Sequence, residues 1–311
     1  MIRVAVCRTG ARRDIRIAAR GQTPSNASNL AYVADMKSPN PVSERSPPPP
    51  IGALLREWRA ARRISQLELA LQSDMSARHL SYVETGKAQA SREMVCRMAK
   101  ALKLPLRERN TLLLAGGYAP EYAENPLATP ALGRMRQAIE LILAHQEPYA
   151  AFVLDRHWNV LMTNQAAVRI NRLLMQGRES PHANLLHQVF DPKDFRSVMA
   201  NWPEVAEKFI HHLHEQLASV PSDQRSQQLL NEILQYPDVP ASWRFRDLKN
   251  EPDPVLTIVF RSDEGELRFF ETITTFSMPR DVTLDELRIE CAFPADDHTA
   301  AVCARLAASE A

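Results

Sequence analysis

The 311-residue chain is 45% hydrophobic with a formal net charge of +1, the balance of an ordinary globular protein with room for about two domains. No apolar run reaches the roughly 18 residues that cross a bilayer, so no membrane association is expected. The cysteines Cys7, Cys96, Cys291 and Cys303 form no CxxC pair, which leaves a zinc site or a disulfide framework without support. The charge is unevenly placed. Residues 1–50 carry +5, residues 51–117 carry +6, and residues 118–311 carry −10. A compact basic module beside an acidic body fits a nucleic-acid binder with a separate regulatory part.

Residues 1–50 are expected to be a disordered basic and Pro-rich segment. Met36 offers a second start close to the folded region. The run Ser46-Pro47-Pro48-Pro49-Pro50 cannot be helical, because proline lacks the donor and clashes with the preceding turn.

Helical periodicity then begins abruptly. Ile51, Leu54, Leu55, Trp58 and Ala61 give the first helix one apolar face. Ser65-Gln66-Leu67-Glu68 reads as a capping box that opens a second helix, with Leu67, Ala70 and Leu71 as its inner stripe. Ser76 caps a third helix, with Leu80 and Val83 inward. Gly86 supplies the positive φ that ends it. Ser91 opens a fourth helix with Met94, Val95, Met98, Ala99 and Leu102 inward, and Pro105 divides it from a fifth that stops at Gly116-Gly117. Helices this short are marginal alone and must pack on one another.

The ordered residues Arg59, Ile64-Ser65-Gln66, Leu69-Ala70, Ser76, Leu80-Ser81, Val83-Glu84-Thr85-Gly86-Lys87 and Ala99 with Leu102 resemble the Cro/C1-type (XRE) helix-turn-helix family. The resemblance implies a five-helix lambda-repressor-like DNA-binding domain over 51–117. Asp74 stands where the family usually has Gly, and aspartate tolerates left-handed backbone better than most residues.

With Leu80 and Val83 inward, the opposite face of the third helix carries Ala77, Arg78, Ser81 and Tyr82. The resemblance places base contacts there, with helix 76–84 in the major groove. Arg78 suits guanine, whose two acceptors match the guanidinium fork, and Ala77 suits a thymine methyl. Gln66, Ser76 and Lys87 are expected on phosphates. The resemblance implies that Arg59 and Glu84 form a structural ion pair.

Residues 118–130 hold three prolines and read as a linker. A second domain fills 131–311. Leu132–His145 reads as a helix with Met135, Ile139, Ile142 and Leu143 inward. Strands follow over Tyr149–Leu154 and Trp158–Met162, and Asn164 starts a helix. Trp202-Pro203 and Pro221 break the next helical stretch. Strand signals return over Val255–Phe260, Leu267–Phe276 and Arg288–Phe293, with a hairpin turn at Ser262-Asp263-Glu264-Gly265. Alternation of Leu287, Ile289, Cys291 and Phe293 with polar neighbours marks the last strand as half-buried. The fold class is therefore α+β, with a five-stranded antiparallel sheet and helices on one face.

This order resembles a PAS-like sensor. Leu112–Pro120, Pro148–Asp155 with Trp158–Leu161, Asn164–Ala167 and Asn184–Leu186 resemble the MmyB-like transcription regulators. The resemblance implies a ligand-binding domain that accepts a small apolar molecule such as a fatty acid. Phe152, Leu154, Leu161, Phe260, Phe270 and Ile273 are expected to wall its pocket.

His211, His212 and His214 form the sole histidine cluster, but a metal site needs three or four spaced ligands, and none is expected. No cofactor is expected. No GxSxG, P-loop or GxGxxG occurs, so no enzymatic activity is expected. The reading is a cytoplasmic homodimeric regulator of double-stranded DNA. An antitoxin-like protein that holds a protein partner is the alternative.

Overall fold

The computed structural model describes residues 31–32, 50–245 and 256–309. Most of the segment expected to be disordered, together with Cys7 and Val255, lies outside the described residues.

A two-residue strand, β1 (Ala31–Tyr32), precedes five helices: α1 (Ile51–Arg62), α2 (Gln66–Gln72), α3 (Ala77–Glu84), α4 (Arg92–Ala101) and α5 (Leu106–Ala115). The local signals that start them are polar caps. The hydroxyls of Ser65, Ser76 and Ser91 accept from the backbone N–H groups of Glu68, His79 and Met94. The expected capping box is half made: the Glu68 carboxylate accepts from Gln72 Nε2 at 3.3 Å. Asp74 adopts φ 51° in the turn between α2 and α3, and Gly86 has φ 73° after α3.

The five helices enclose one core around Leu55, Trp58, Leu69, Leu80, Val95 and Leu112. Burying each such side chain contributes about 1.5–3 kcal/mol. The expected stripe of α2 holds at Ala70 and fails at its two leucines. Leu67 and Leu71 are exposed, and Leu69, Ala70 and Ser73 face inward. Leu recurs at 67, 69 and 71, so two stripes compete in a seven-residue helix. The i, i+1, i+4 set that includes the small Ser73 is the one that fits against α3.

Helix α6 (Gly133–His145) leads into β2 (Ala151–Leu154) and β3 (Val160–Thr163). Four helices follow: α7 (Gln165–Leu174), α8 (Leu185–Phe190), α9 (Trp202–Ser219) and α10 (Gln224–Ile233). The chain closes with β4 (Thr257–Ser262), β5 (Gly265–Thr274), α11 (Val282–Glu286), β6 (Arg288–Pro294) and α12 (Asp297–Ala308). Trp202-Pro203 opens α9 instead of breaking a helix, because the first turn needs no N–H from proline.

The sheet order is β1-β3-β2-β6-β5-β4, every neighbouring pair antiparallel. The five expected strands are joined at one edge by β1, whose pairing partner is β3. The fold is α+β, but helices cover both faces of the sheet. Ile139 and Leu143 of α6 pack on Ala151, Val153, Ile289 and Cys291. Ile170 and Leu174 of α7 and Val302 of α12 pack on the opposite face, against Leu267, Phe269 and Ala292. Central strand β6 is therefore buried on both sides, and Glu290 is among its buried residues. The half-buried expectation fails because α6 crosses the sheet instead of joining the other helices.

The expected linker is bound rather than free. Asn110 accepts from the N–H groups of Glu121 and Tyr122 and donates to the Tyr122 carbonyl. Asn125 Nδ2 donates to Asp281 Oδ2 at 2.8 Å.

Candidate DNA interface and ligand cavity

Helix α3 is anchored by Leu80, Val83 and Glu84. Arg59 grips Glu84 in a bidentate pair, Nε to Oε1 at 2.6 Å and Nη2 to Oε2 at 3.0 Å, with side-chain exposures of 18% and 2%. The bonds from Glu84 outweigh burial and raise the Arg59 guanidinium further above its ordinary value. Gln66 Nε2 donates to Glu84 Oε2 at 2.9 Å. One of its two amide N–H groups is thus engaged inside this cluster, and the other is left for the phosphate expected there.

The outer face of α3 presents Arg78 and Tyr82 to solvent, with Ala77 and Ser81 half-buried beside them. Arg78 Nε donates to the Tyr82 hydroxyl at 3.0 Å, and the guanidinium lies 5.4 Å from the Tyr82 ring centroid. This braces the arginine through Nε and leaves its two terminal nitrogens for a bidentate acceptor. Ser76 and Lys87 are exposed at the two ends of the helix.

The second domain holds a cavity of about 830 Å³ between the sheet and α7, α8 and α9. Phe152, Ile258, Phe260 and Phe269 line it from the strands, and Val168 and Phe209 from the helices. Its size and its largely apolar wall are those of a small-molecule site.

Several contacts tie this domain to the helical module, among them the Leu106 N–H, which donates to Asp285 Oδ2 at 2.9 Å. Arg107 of α5 pairs with Glu286 Oε1 at 2.7 Å. Arg156, in the β2–β3 turn, pairs with the same Glu286 oxygen at 2.7 Å and with Asp223. Separately, Val220 at the end of α9 is part of the five-helix core, and Arg62 donates to the Ser219 carbonyl at 3.2 Å. At 1.5 Å per residue α9 rises about 15 Å from Phe209, at the cavity wall, to Ser219 at the helical module.

Residues 135–306 match the model of the MmyB-like transcription regulator ligand binding domain, more than half of the chain. The chain belongs to this family. Residues 50–112 of this MmyB-like regulator match a helix-turn-helix domain, so a DNA-binding module precedes the ligand-binding one. No curated protein matches the chain. Among solved structures it is similar to an RNA-binding Light-Oxygen-Voltage receptor, at 13% identity and a TM-score of 0.25. That match covers 84% of this chain, which spans 63% of the receptor's length.

In the MmyB-like regulator, Phe152 and Phe260 line the cavity and four other expected residues do not. Leu154 is closed into the core with Trp158 and Leu186. Leu161 packs with the α6 cluster on the far side of the sheet. Phe270 stacks on Phe293 at 5.4 Å, and its neighbour Phe269 faces the cavity in its place. A strand with adjacent phenylalanines does not declare which one is inward, and Phe269 lies one residue from the expected position. Ile273 is 50% exposed at the end of β5.

Sequence reasoning also missed two acids: Glu271 lines the cavity, and Glu290 of the neighbouring strand is 2% exposed. Polar residues alternating with apolar ones read as a solvent face. Only the central place of β6 in the sheet argues otherwise.

The histidines serve packing. His212 Nε2 accepts from Arg288 Nη1 at 3.1 Å, and His214 Nε2 lies 2.9 Å from the Trp243 carbonyl. Among the described residues no group of three or more metal-ligating side chains could hold an ion. No helix among them is long and apolar enough to cross a membrane.

Proposed function

We propose that this MmyB-like regulator binds its operator as a homodimer, with α3 in the major groove, and that a small apolar ligand in the cavity sets its DNA affinity. The observation that carries the reading is a joint between the domains. Phe209 of α9 walls the cavity, and Val220 at the end of that helix is buried in the DNA-binding core. A ligand that moves α9 therefore bears directly on the helical module.

Arg78 is the guanine reader, Ala77 and Tyr82 the apolar and stacking contacts, and Ser81 a supporting hydroxyl. Gln66, Ser76 and Lys87 meet phosphates, Gln66 with the amide N–H that Glu84 does not take. A single short recognition helix reads few bases. Two modules on a two-fold axis would place half-sites about 34 Å apart. Such a regulator would work in the cytoplasm, beside the chromosome.

A ligand changes DNA affinity only by binding two arrangements of the protein unequally. The test is operator affinity of the intact chain, stripped of lipid and then loaded with a decyl-chain probe, beside its mass in solution. A shift in affinity on loading, with a dimer on a two-fold site, is expected. A monomer on a non-repeated site, or equal affinities, would count against the reading.

A further inference from the structure

One carboxyl group lines the cavity and a second is buried in the neighbouring strand, and the apolar-ligand reading uses neither. Glu271 lines the cavity from β5. Glu290 of β6 lies opposite Phe152 and two residues from Ala292, both of which line it. Alternation sets Glu290 on that same face of the sheet. It is 2% exposed, and its Oε2 has no hydrogen-bond partner among the described residues.

A buried acceptor left unpaired carries its full desolvation cost. Arg288, two residues before it, is committed elsewhere. Its guanidinium lies over the Trp158 ring at 4.7 Å and donates to His212, Gln216 and the Arg156 carbonyl. Burial pushes the Glu290 carboxyl well above the usual range, Glu271 pushes it the same way, and Arg288 opposes. Burial likewise raises Glu271, against the charge of Lys208.

We propose that the cavity takes an apolar molecule ending in a protonated amine, with its ammonium group held by Glu271 and Glu290. This deepens the ligand-binding reading above and rests on it. An ammonium group offers three donors and no acceptor. It supplies the donor that Glu290 Oε2 lacks, and its charge favours ionised carboxyls beside it. The phenylalanines and Ile258 cover the apolar body. A carboxylate head at the same place would add a third acid to two that are already hard to ionise.

The experiment is titration calorimetry of the intact, delipidated protein at pH 7 with decylamine, decanol and decanoate. Each is run in two buffers of different ionisation enthalpy. Decanol reports the tail alone. Decylamine should bind at least about tenfold tighter than decanol, a difference of about 1.4 kcal/mol, and should release protons as the carboxyls ionise. Glu290→Gln and Glu271→Gln should each reduce decylamine affinity about tenfold and leave decanol within about twofold.

Decanoate binding as tightly as decylamine would overturn the proposal in the unmodified protein, whatever the variants do. So would an amine preference that survives both substitutions. If decanol and the other two all fail to bind, the cavity is not a ligand site and the broader reading falls with this one. If decanol binds without an amine preference, only the headgroup assignment is lost.

Discussion

At the scale of single residues, the firmest energetic statement concerns Glu84. Its carboxylate is nearly buried and meets Arg59 through two bonds and Gln66 through a third. Removing Arg59 strands that charge, so Arg59→Ala should destabilise by roughly 3–5 kcal/mol. Removing both partners should cost clearly less than the sum of the two single changes. Chemical melts of the four proteins decide it, and additive losses would argue against coupling.

Gly52 explains why this pair can form. A Cβ there would lie 2.2 Å from the Glu84 carbonyl oxygen, a backbone atom that cannot turn aside. Gly52→Ala should therefore spread α1 from α3 and cost about 1–3 kcal/mol, as overpacking does. A melt unchanged by that substitution would refute the close crossing. On DNA, Arg78→Ala should lose about 1–3 kcal/mol and relax preference at one base pair, whereas Lys87→Ala should weaken all sequences alike. Equal losses for Arg78→Ala on operator and random DNA would move Arg78 to the phosphate class.

At the scale of elements, legibility followed the strength of local chemistry. Serine caps, Asp74 and Gly86 act within one turn, so the starts and stops of α2, α3 and α4 could be read from sequence. Face assignment was less secure, because it depends on which partner an element finds. Leu67 and Leu71 look inward on a helical wheel until α3 selects Leu69, Ala70 and Ser73. Phe269 and Phe270 are equal candidates until β6 fixes the register, and α6 was free to take either face of the sheet. The cavity was accordingly legible as an apolar site, while its acids were not.

Helix α9 offers a pH test. Burial, then the neighbouring charge of Arg288, lowers the His212 imidazole to about 4, from about 6.5 in an unfolded chain. Between those values the unfolded state binds more protons. The contribution of His212 to stability is therefore full above about pH 6.5 and is lost as pH falls toward 4. The loss is at most about 3 kcal/mol. His212→Gln keeps an acceptor for Arg288 and removes the titration. The stability difference between the two proteins should move in favour of the variant from pH 7 to pH 4. A constant difference would show that His212 does not stay neutral in the folded protein.

At the scale of the whole molecule, the basic helical module and the acidic sensor are joined through several contacts. Glu286 holds both Arg107 and Arg156, so it touches the DNA-binding module and the sensor at once. Glu286→Gln should leave the cavity's affinity for decanol within about twofold while reducing the effect of a bound decyl chain on operator affinity. Unchanged coupling would show that Glu286 does not carry the signal. The charge division read from sequence also predicts steep salt dependence of operator binding, since each phosphate contact releases counterions.

The measurement that bears most directly on ligand-controlled DNA binding is operator affinity of the intact protein at fixed salt, delipidated and then saturated with decylamine. The expected result is a change of at least about fivefold, or about 1 kcal/mol of coupling free energy, that Glu290→Gln diminishes at the same amine concentration. Identical operator affinities, with calorimetry showing the cavity filled, would contradict it.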